Sequence, residues 1–140
     1  DNNGNSEDYL TGDECPFDMD QDVIEISDED FGVWYVDVMD HPDRYLGKLV
    51  HMKLVMCHSQ KYPGIHCPGR FAMVCCEDDM QFLALVCRGE GLEKFEDREW
   101  VEITATVKVE NCDAYQGEGT VLYVTDIHKT DKPKEEVVSF

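Results

Sequence analysis

The sequence predicts an all-β fold built on a small five-stranded Greek-key barrel, and three observations lead there. Apolar and polar residues alternate over 48–56 and again over 101–109, the period of two that a half-buried strand requires. Three more β-prone runs, at 70–76, 81–88 and about 120–127, are bounded by Pro-Gly or Gly-rich punctuation. The resulting order over 47–128 is strand, strand, strand, short helix, strand, strand, which is the order of an OB-fold. A small open β-sandwich would use the same strands. Barrel closure is favoured because it removes the exposed edges of strands this apolar.

Each element has its own signal. Residues 1–30 hold twelve Asp and Glu and no Lys or Arg, interrupted only by Tyr9, Leu10, Phe17, Met19 and Val23-Ile24. Such a stretch predicts a solvated, mostly flexible acidic tail. Residues 33–38 combine three valines with Trp34 and Tyr35, so an extra short strand is expected before the barrel. In His41-Pro42-Asp43-Arg44-Tyr45-Leu46-Gly47, Pro stands near a start and Gly at an end, which suits one helical turn. Val50, Met52, Leu54 and Met56 then form an apolar face, while Leu49, His51, Lys53 and Val55 form a mixed one that leaves His51 exposed. Pro63-Gly64 and Pro68-Gly69 break the next loop before the strands at 70–76 and 81–88. The polar run 89–99, with Leu92 and Phe95 three apart, has room for a short helix. Val101, Ile103, Ala105, Val107 and Val109 alternate with Glu102, Thr104, Thr106 and Lys108, and Gln116-Gly117-Glu118-Gly119 turns the chain into its last strand. Lys132-Pro133-Lys134 ends the order, so one barrel domain is expected over 31–133, with a C-terminal tail at 134–140.

Charge narrows the function. The net charge is −19, and beyond residue 30 there are still 19 acidic residues against 12 basic. Nucleic-acid binding relies on Lys and Arg neutralising phosphates, so nucleic acid is not an expected partner. No apolar run reaches membrane-spanning length, so this chain is not expected to insert directly into a membrane. The polar start Asp1-Asn2-Asn3-Gly4-Asn5 is similar to the spacer after a removed export signal or a lipidated cysteine. An extracytoplasmic protein, held as a bacterial lipoprotein by an anchor upstream, is expected. The sequence has no phosphate-cradling glycine loop, nucleotide fingerprint, zinc-protease helix, serine elbow or Cys-x-x-Cys pair, so no enzyme is predicted.

Seven cysteines stand out in a chain of this size, at 15, 57, 67, 75, 76, 87 and 112. Cys57-His58 and His66-Cys67 bracket the loop joining the first two barrel strands, Cys75-Cys76 with Asp79 ends the second strand, and Cys112-Asp113 lies in the loop before the last. Thiolate, imidazole and carboxylate are the ligands of zinc and similar divalent ions. If these segments met at one rim, Cys57, His58, His66, Cys67, Cys75, Cys76 and Asp79 would form a metal site. The spacing matches no standard zinc finger, and a Cys57–Cys67 disulfide with both histidines solvated is the equal alternative. Adjacent strand residues point to opposite faces, so Cys75 and Cys76 share one ion only where the strand bulges or ends. Cys87 reads as core packing, and Asp79 on its own reads as a turn residue.

Three segments carry a resemblance: Tyr45-x-Gly47-Lys48-x-Val50, Arg70-Phe71-x-x-x-Cys75-Cys76-x-x-Asp79 and Trp100-Val101-Glu102-Ile103. Over about residues 31–133 the chain resembles an uncharacterised bacterial family of small partner subunits of two-part permeases (the YcgQ type), whose C-terminal domain is OB-like. The resemblance implies a membrane permease as partner and a site around Cys75, Cys76 and Asp79. The chain departs from the family at Glu77, Asp78 and Met80, where the family prefers small residues and an alanine. The expectation is a non-catalytic binding protein that holds a zinc-like ion. Its rivals are a disulfide-stapled protein-interaction module and a thiol redox enzyme using Cys75 or Cys76.

Overall fold

A computed structural model describes residues 17–73 and 79–139. Among the described residues, eight strands and one α-helix follow in chain order: β1 (Val23–Glu25), α1 (Phe31–Asp40), β2 (Leu49–Val55), β3 (Gly69–Met73), β4 (Met80–Ala84), β5 (Val86–Arg88), β6 (Trp100–Cys112), β7 (Gly117–Lys129) and β8 (Val137–Val138). The main ladder runs β4-β3-β2-β6-β7-β5, with β5 parallel to β7. Its two outer strands, β4 and β5, are successive halves of one strand interrupted only at Leu85, whose N–H still pairs with Pro68 O at 3.0 Å. The sheet therefore curls into the OB-like barrel that the element order implied. Gly69 is required where β3 crosses this strand, because a Cβ there would collide with the Leu83 carbonyl.

The alternation over 48–56 and 101–109 is realised in the long antiparallel ladder of β2 on β6, from Leu49↔Thr106 to Val55↔Trp100. Val50, Met52, Leu54, Val101, Ile103, Ala105 and Val107 all point inward and are buried. Burying a Val, Leu or Ile side chain contributes about 1.5–3 kcal/mol, so this stripe forms the floor of the core.

Residues 33–38 are helical rather than extended. Phe31, Trp34, Tyr35 and Val38 fall at the 0, 3, 4, 7 spacing of one helix face, with Phe31, Trp34 and Val38 buried and Tyr35 packed against the core. Val33 and Val36 lie on the other side and are exposed; they are the residues that made the run look like a strand. Helix α1 is tied to the barrel where the sheet changes partners. Tyr35 Oη donates to Ala84 O (3.0 Å) and Thr120 Oγ1 donates to Val38 O (2.8 Å). The expected turn follows as a 3-10 segment, Pro42–Arg44, with Gly47 at φ +79° after it. The short helix expected within 89–99 is a single 3-10 turn, Leu92–Lys94.

The two tails also need correction. Within the acidic stretch, β1 pairs in parallel with β2, Ile24 and Ile26 are buried, and Phe17 and Met19 pack on the core. At the other end β8 pairs in parallel with β3, and Val138 is buried. Both additions answer one geometric need. Strands β2 and β3 share a single register pair, Val55↔Gly69, and then diverge, leaving a seam that β1 and β8 line from either side.

Arg70 pins this seam. Its guanidinium, with the residue 1% exposed, donates to Asp28 Oδ1 (2.7 Å) just after β1 and to Glu135 O (2.8 Å) just before β8. It also lies 5.0 Å from the Trp100 ring centroid, a cation–π stack. One buried side chain thus joins both chain ends to the barrel.

Candidate functional site

The loop between β2 and β3 begins as an antiparallel arm. His58 faces His66, Cys67 N donates to Cys57 O (2.7 Å) and Ser59 N donates to Ile65 O (2.9 Å). Hydrogen-bonded pairs at 57/67 and 59/65 leave 58/66 as the non-hydrogen-bonded pair, whose side chains approach most closely. The imidazoles accordingly meet edge to face, with Nδ1 to Nδ1 at 2.7 Å. Alternation sends Cys57 and Cys67 to the opposite face, and Cys67 packs there against buried Val86, Cys112 and Val121.

Alternation thus divides the expected ligands Cys57, His58, His66 and Cys67 into a thiol face and an imidazole face. Both cysteines are free thiols, so they form no disulfide. Cys75 and Cys76 lie outside the described residues. Asp79 precedes β4, and among the described residues no group of three or more His, Cys, Asp and Glu side chains could hold a metal. One part of the expected convergence is present: the 57–67 loop and the turn after β6 do meet, through Cys67 and Cys112.

His58 is tied at both ring nitrogens. Its Nε2 lies 2.5 Å from Phe95 O, and a carbonyl only accepts, so that nitrogen carries a hydrogen. A hydrogen lies between the two Nδ1 atoms, donated by one ring and accepted by the other. Burial lowers the His66 pKa, and the neighbouring His58 lowers it further against the opposing pull of Glu93, so His66 is neutral at pH 7.

The thiols are held protonated. Burial raises the pKa of Cys57, with Asp97 adding to the effect and Arg98 opposing it. Burial, then Cys57 and Cys112, push Cys67 up to about 11. At pH 7 that leaves about one Cys67 in ten thousand as thiolate, the form that attacks electrophiles and disulfides. Iodoacetamide at pH 7 followed by peptide mapping is therefore expected to label Cys67 far more slowly than a free thiol, the rate rising about tenfold per pH unit towards pH 10. Labelling of Cys67 at free-thiol rates at pH 7 would contradict this arrangement. Neither thiol has the depressed pKa that a redox nucleophile needs.

His51, expected to be exposed, is half-buried between two carboxylates, Glu25 (Nδ1, 2.7 Å) and Glu102 (Nε2, 2.6 Å). Burial opposes its charge, but the hydrogen bonds and charges of Glu25 and Glu102 outweigh burial and raise its pKa. With both nitrogens donating, it acts as a cationic link from β2 to β1 and β6.

A feature not singled out in the sequence lies on the outer face of β3 and β4. The cross-strand pairs Phe71↔Phe82 and Met73↔Met80 form one apolar stripe, with Phe ring centroids 4.8 Å apart and Met73 and Met80 36% and 41% exposed. Beside the phenylalanines opens a groove of about 280 Å³, lined also by Val55, Cys57, Asp97 and Arg98. Arg98 adopts φ +80°, unusual for a side-chain-bearing residue, and places its guanidinium 5.5 Å from the Phe71 ring centroid. The signal was in the sequence: Phe71 and Met73 share parity, as do Met80 and Phe82. In an OB-like barrel this second- and third-strand face is the one that binds ligands.

Residues 5–138, nearly the whole chain, match the family model described as the DUF1980 C-terminal domain. No curated protein matches the chain.

Proposed function

The chain belongs to the DUF1980 C-terminal domain family, and on that premise we propose that it is a non-catalytic binding domain that docks a protein partner on the β3–β4 face. The observation that carries this is the exposed stripe Phe71, Phe82, Met73 and Met80 beside the 280 Å³ groove. Soluble domains rarely expose contiguous apolar surface without an occupant for it. Methionine suits such a face because its flexible thioether adapts to a partner's shape. The occupant proposed is an apolar segment flanked by basic residues, since the chain carries a net charge of −19. We assign that occupant to an extracytoplasmic segment of a membrane permease, with this domain held outside the membrane by an anchor upstream. Among the described residues no helix is long and apolar enough to cross a membrane.

The test is a photo-crosslinker placed at Met73 in cells of the source organism. Crosslinks to a multi-span membrane protein are expected. The double substitution Met73→Lys with Met80→Lys should weaken that association about tenfold or more without shifting the thermal unfolding midpoint, because both residues are exposed. Undiminished association in the double variant would sink the proposal.

Metal capture is a second reading, favoured by the adjacent imidazoles of His58 and His66, with Nδ1 to Nδ1 at 2.7 Å. A cobalt(II) titration of the untagged chain should show a d–d band that disappears in His66→Ala. An unchanged band in that variant removes the reading.

A further inference from the structure

A second cleft, separate from the apolar groove, opens between the 57–67 loop and the turn joining β6 to β7. It encloses about 460 Å³, within the range of small-ligand sites, and is lined by Tyr62, Asn111, Cys112, Asp113, Gln116 and Gly117. In an OB-like barrel these are the two loops that flank the ligand.

The backbone of the cleft is fixed before any ligand arrives. Tyr115 folds over Gly119, where a Cβ would collide with its ring, and its hydroxyl accepts from Val86 N (3.0 Å) and donates to Thr120 O (2.8 Å). Those contacts hold the 113–116 turn against β5 and β7. Gln116 is kept at φ +58°, the left-handed region that few side-chain-bearing residues occupy. Ser59 Oγ, accepting from Tyr62 N (2.9 Å), anchors the other wall. The polar groups facing this space are uncommitted: the side chains of Tyr62, Asn111, Asp113 and Gln116 make no hydrogen bond among the described residues.

The lining selects a ligand class. Two carboxamides and a carboxylate supply both donors and acceptors, as sugar hydroxyls require, and Tyr62 offers an aromatic face for the C–H side of a ring. The lining contains no Lys or Arg; Lys61 Nζ lies 5.4 Å from the Tyr62 ring centroid, which leaves the ring's other face for a ligand, while Asp113 and the charge of −19 disfavour phosphates, sulfates and acidic sugars. We infer that this cleft binds a neutral carbohydrate, with Tyr62 stacking on a pyranose ring and Asn111, Asp113 and Gln116 bonding its hydroxyls.

The test is an NMR titration of the full isotope-labelled chain with cellotetraose, chitotetraose and maltotetraose, and with a heparin-derived tetrasaccharide as the anionic comparison. At least one neutral tetrasaccharide should bind with a Kd of about 1 mM or tighter, shifting resonances of Tyr62 and residues 111–117. Tyr62→Ala and Gln116→Gly should each weaken binding about tenfold or more. Gln116→Gly separates recognition from folding, because glycine prefers this backbone conformation and the melting temperature should hold or rise. Silence with all three neutral sugars, or unchanged binding in both variants, overturns the inference. Equal binding of the anionic tetrasaccharide overturns the ligand class.

Discussion

A chain shortened to begin at Phe31 is expected to lose its cooperative unfolding transition. The removed stretch looks dispensable by composition, with twelve carboxylates in thirty residues and no basic partner. Yet Ile24 and Ile26 are 1% and 5% exposed, and burial of each contributes about 1.5–3 kcal/mol. The truncation also strips β1 from β2 and removes Asp28, leaving the Arg70 guanidinium buried without its carboxylate, a loss of about 3 kcal/mol. Together these approach the whole stability of an ordinary domain, about 5–15 kcal/mol. Calorimetry or urea unfolding followed by tryptophan fluorescence would read the result. The point variant Ile24→Asp should move in the same direction. A sharp transition at the full-length midpoint would show the acidic stretch to be no part of the fold.

The second large effect concerns the Arg70 pin and has an asymmetry that identifies it. Asp28→Ala leaves a buried cation facing carbonyls and aromatic rings but no carboxylate, and is expected to cost about 2–3 kcal/mol, roughly 10 °C in the unfolding midpoint. This is the low end of the range for broken buried pairs, because the Asp28 side chain is 35% exposed and water partly replaces it. Arg70→Met removes the charge together with its stack on Phe31 and Trp100 but leaves an apolar side chain in the same space, so it should cost less than Asp28→Ala, although Arg70 is far the more buried of the two. A simple tally of contacts predicts the reverse order. Unfolding curves of the two variants decide between them, and Arg70→Met falling below Asp28→Ala would show that burial, not the unpaired charge, governs the seam.

The division between sequence and structure follows range along the chain. Strands β2, β6 and β7 and the barrel order were legible because alternation is a local pattern, and long antiparallel strands with one buried face leave little choice of register. The Pro42 turn and the core role of Cys87 were legible on similar grounds. Helix α1 was misread because three valines outweighed the 0, 3, 4, 7 spacing of Phe31, Trp34, Tyr35 and Val38. Packing on the barrel end settles that competition, and propensity does not see it. The chain ends were misread because β1 and β8 are too short and too polar around to announce themselves; they become strands only because β2 and β3 diverge and offer them unpaired backbone. The division of the 57–67 arm was already contained in the sequence: adjacent Cys-His and His-Cys pairs facing each other across an antiparallel arm must divide into a thiol face and an imidazole face. By itself the sequence determined the fold class, the acidic character and the strands of the barrel. Only the tertiary structure decided which side chains share a surface, because contacts such as Arg70 with Asp28 and Tyr35 with Ala84 join segments that no local pattern connects.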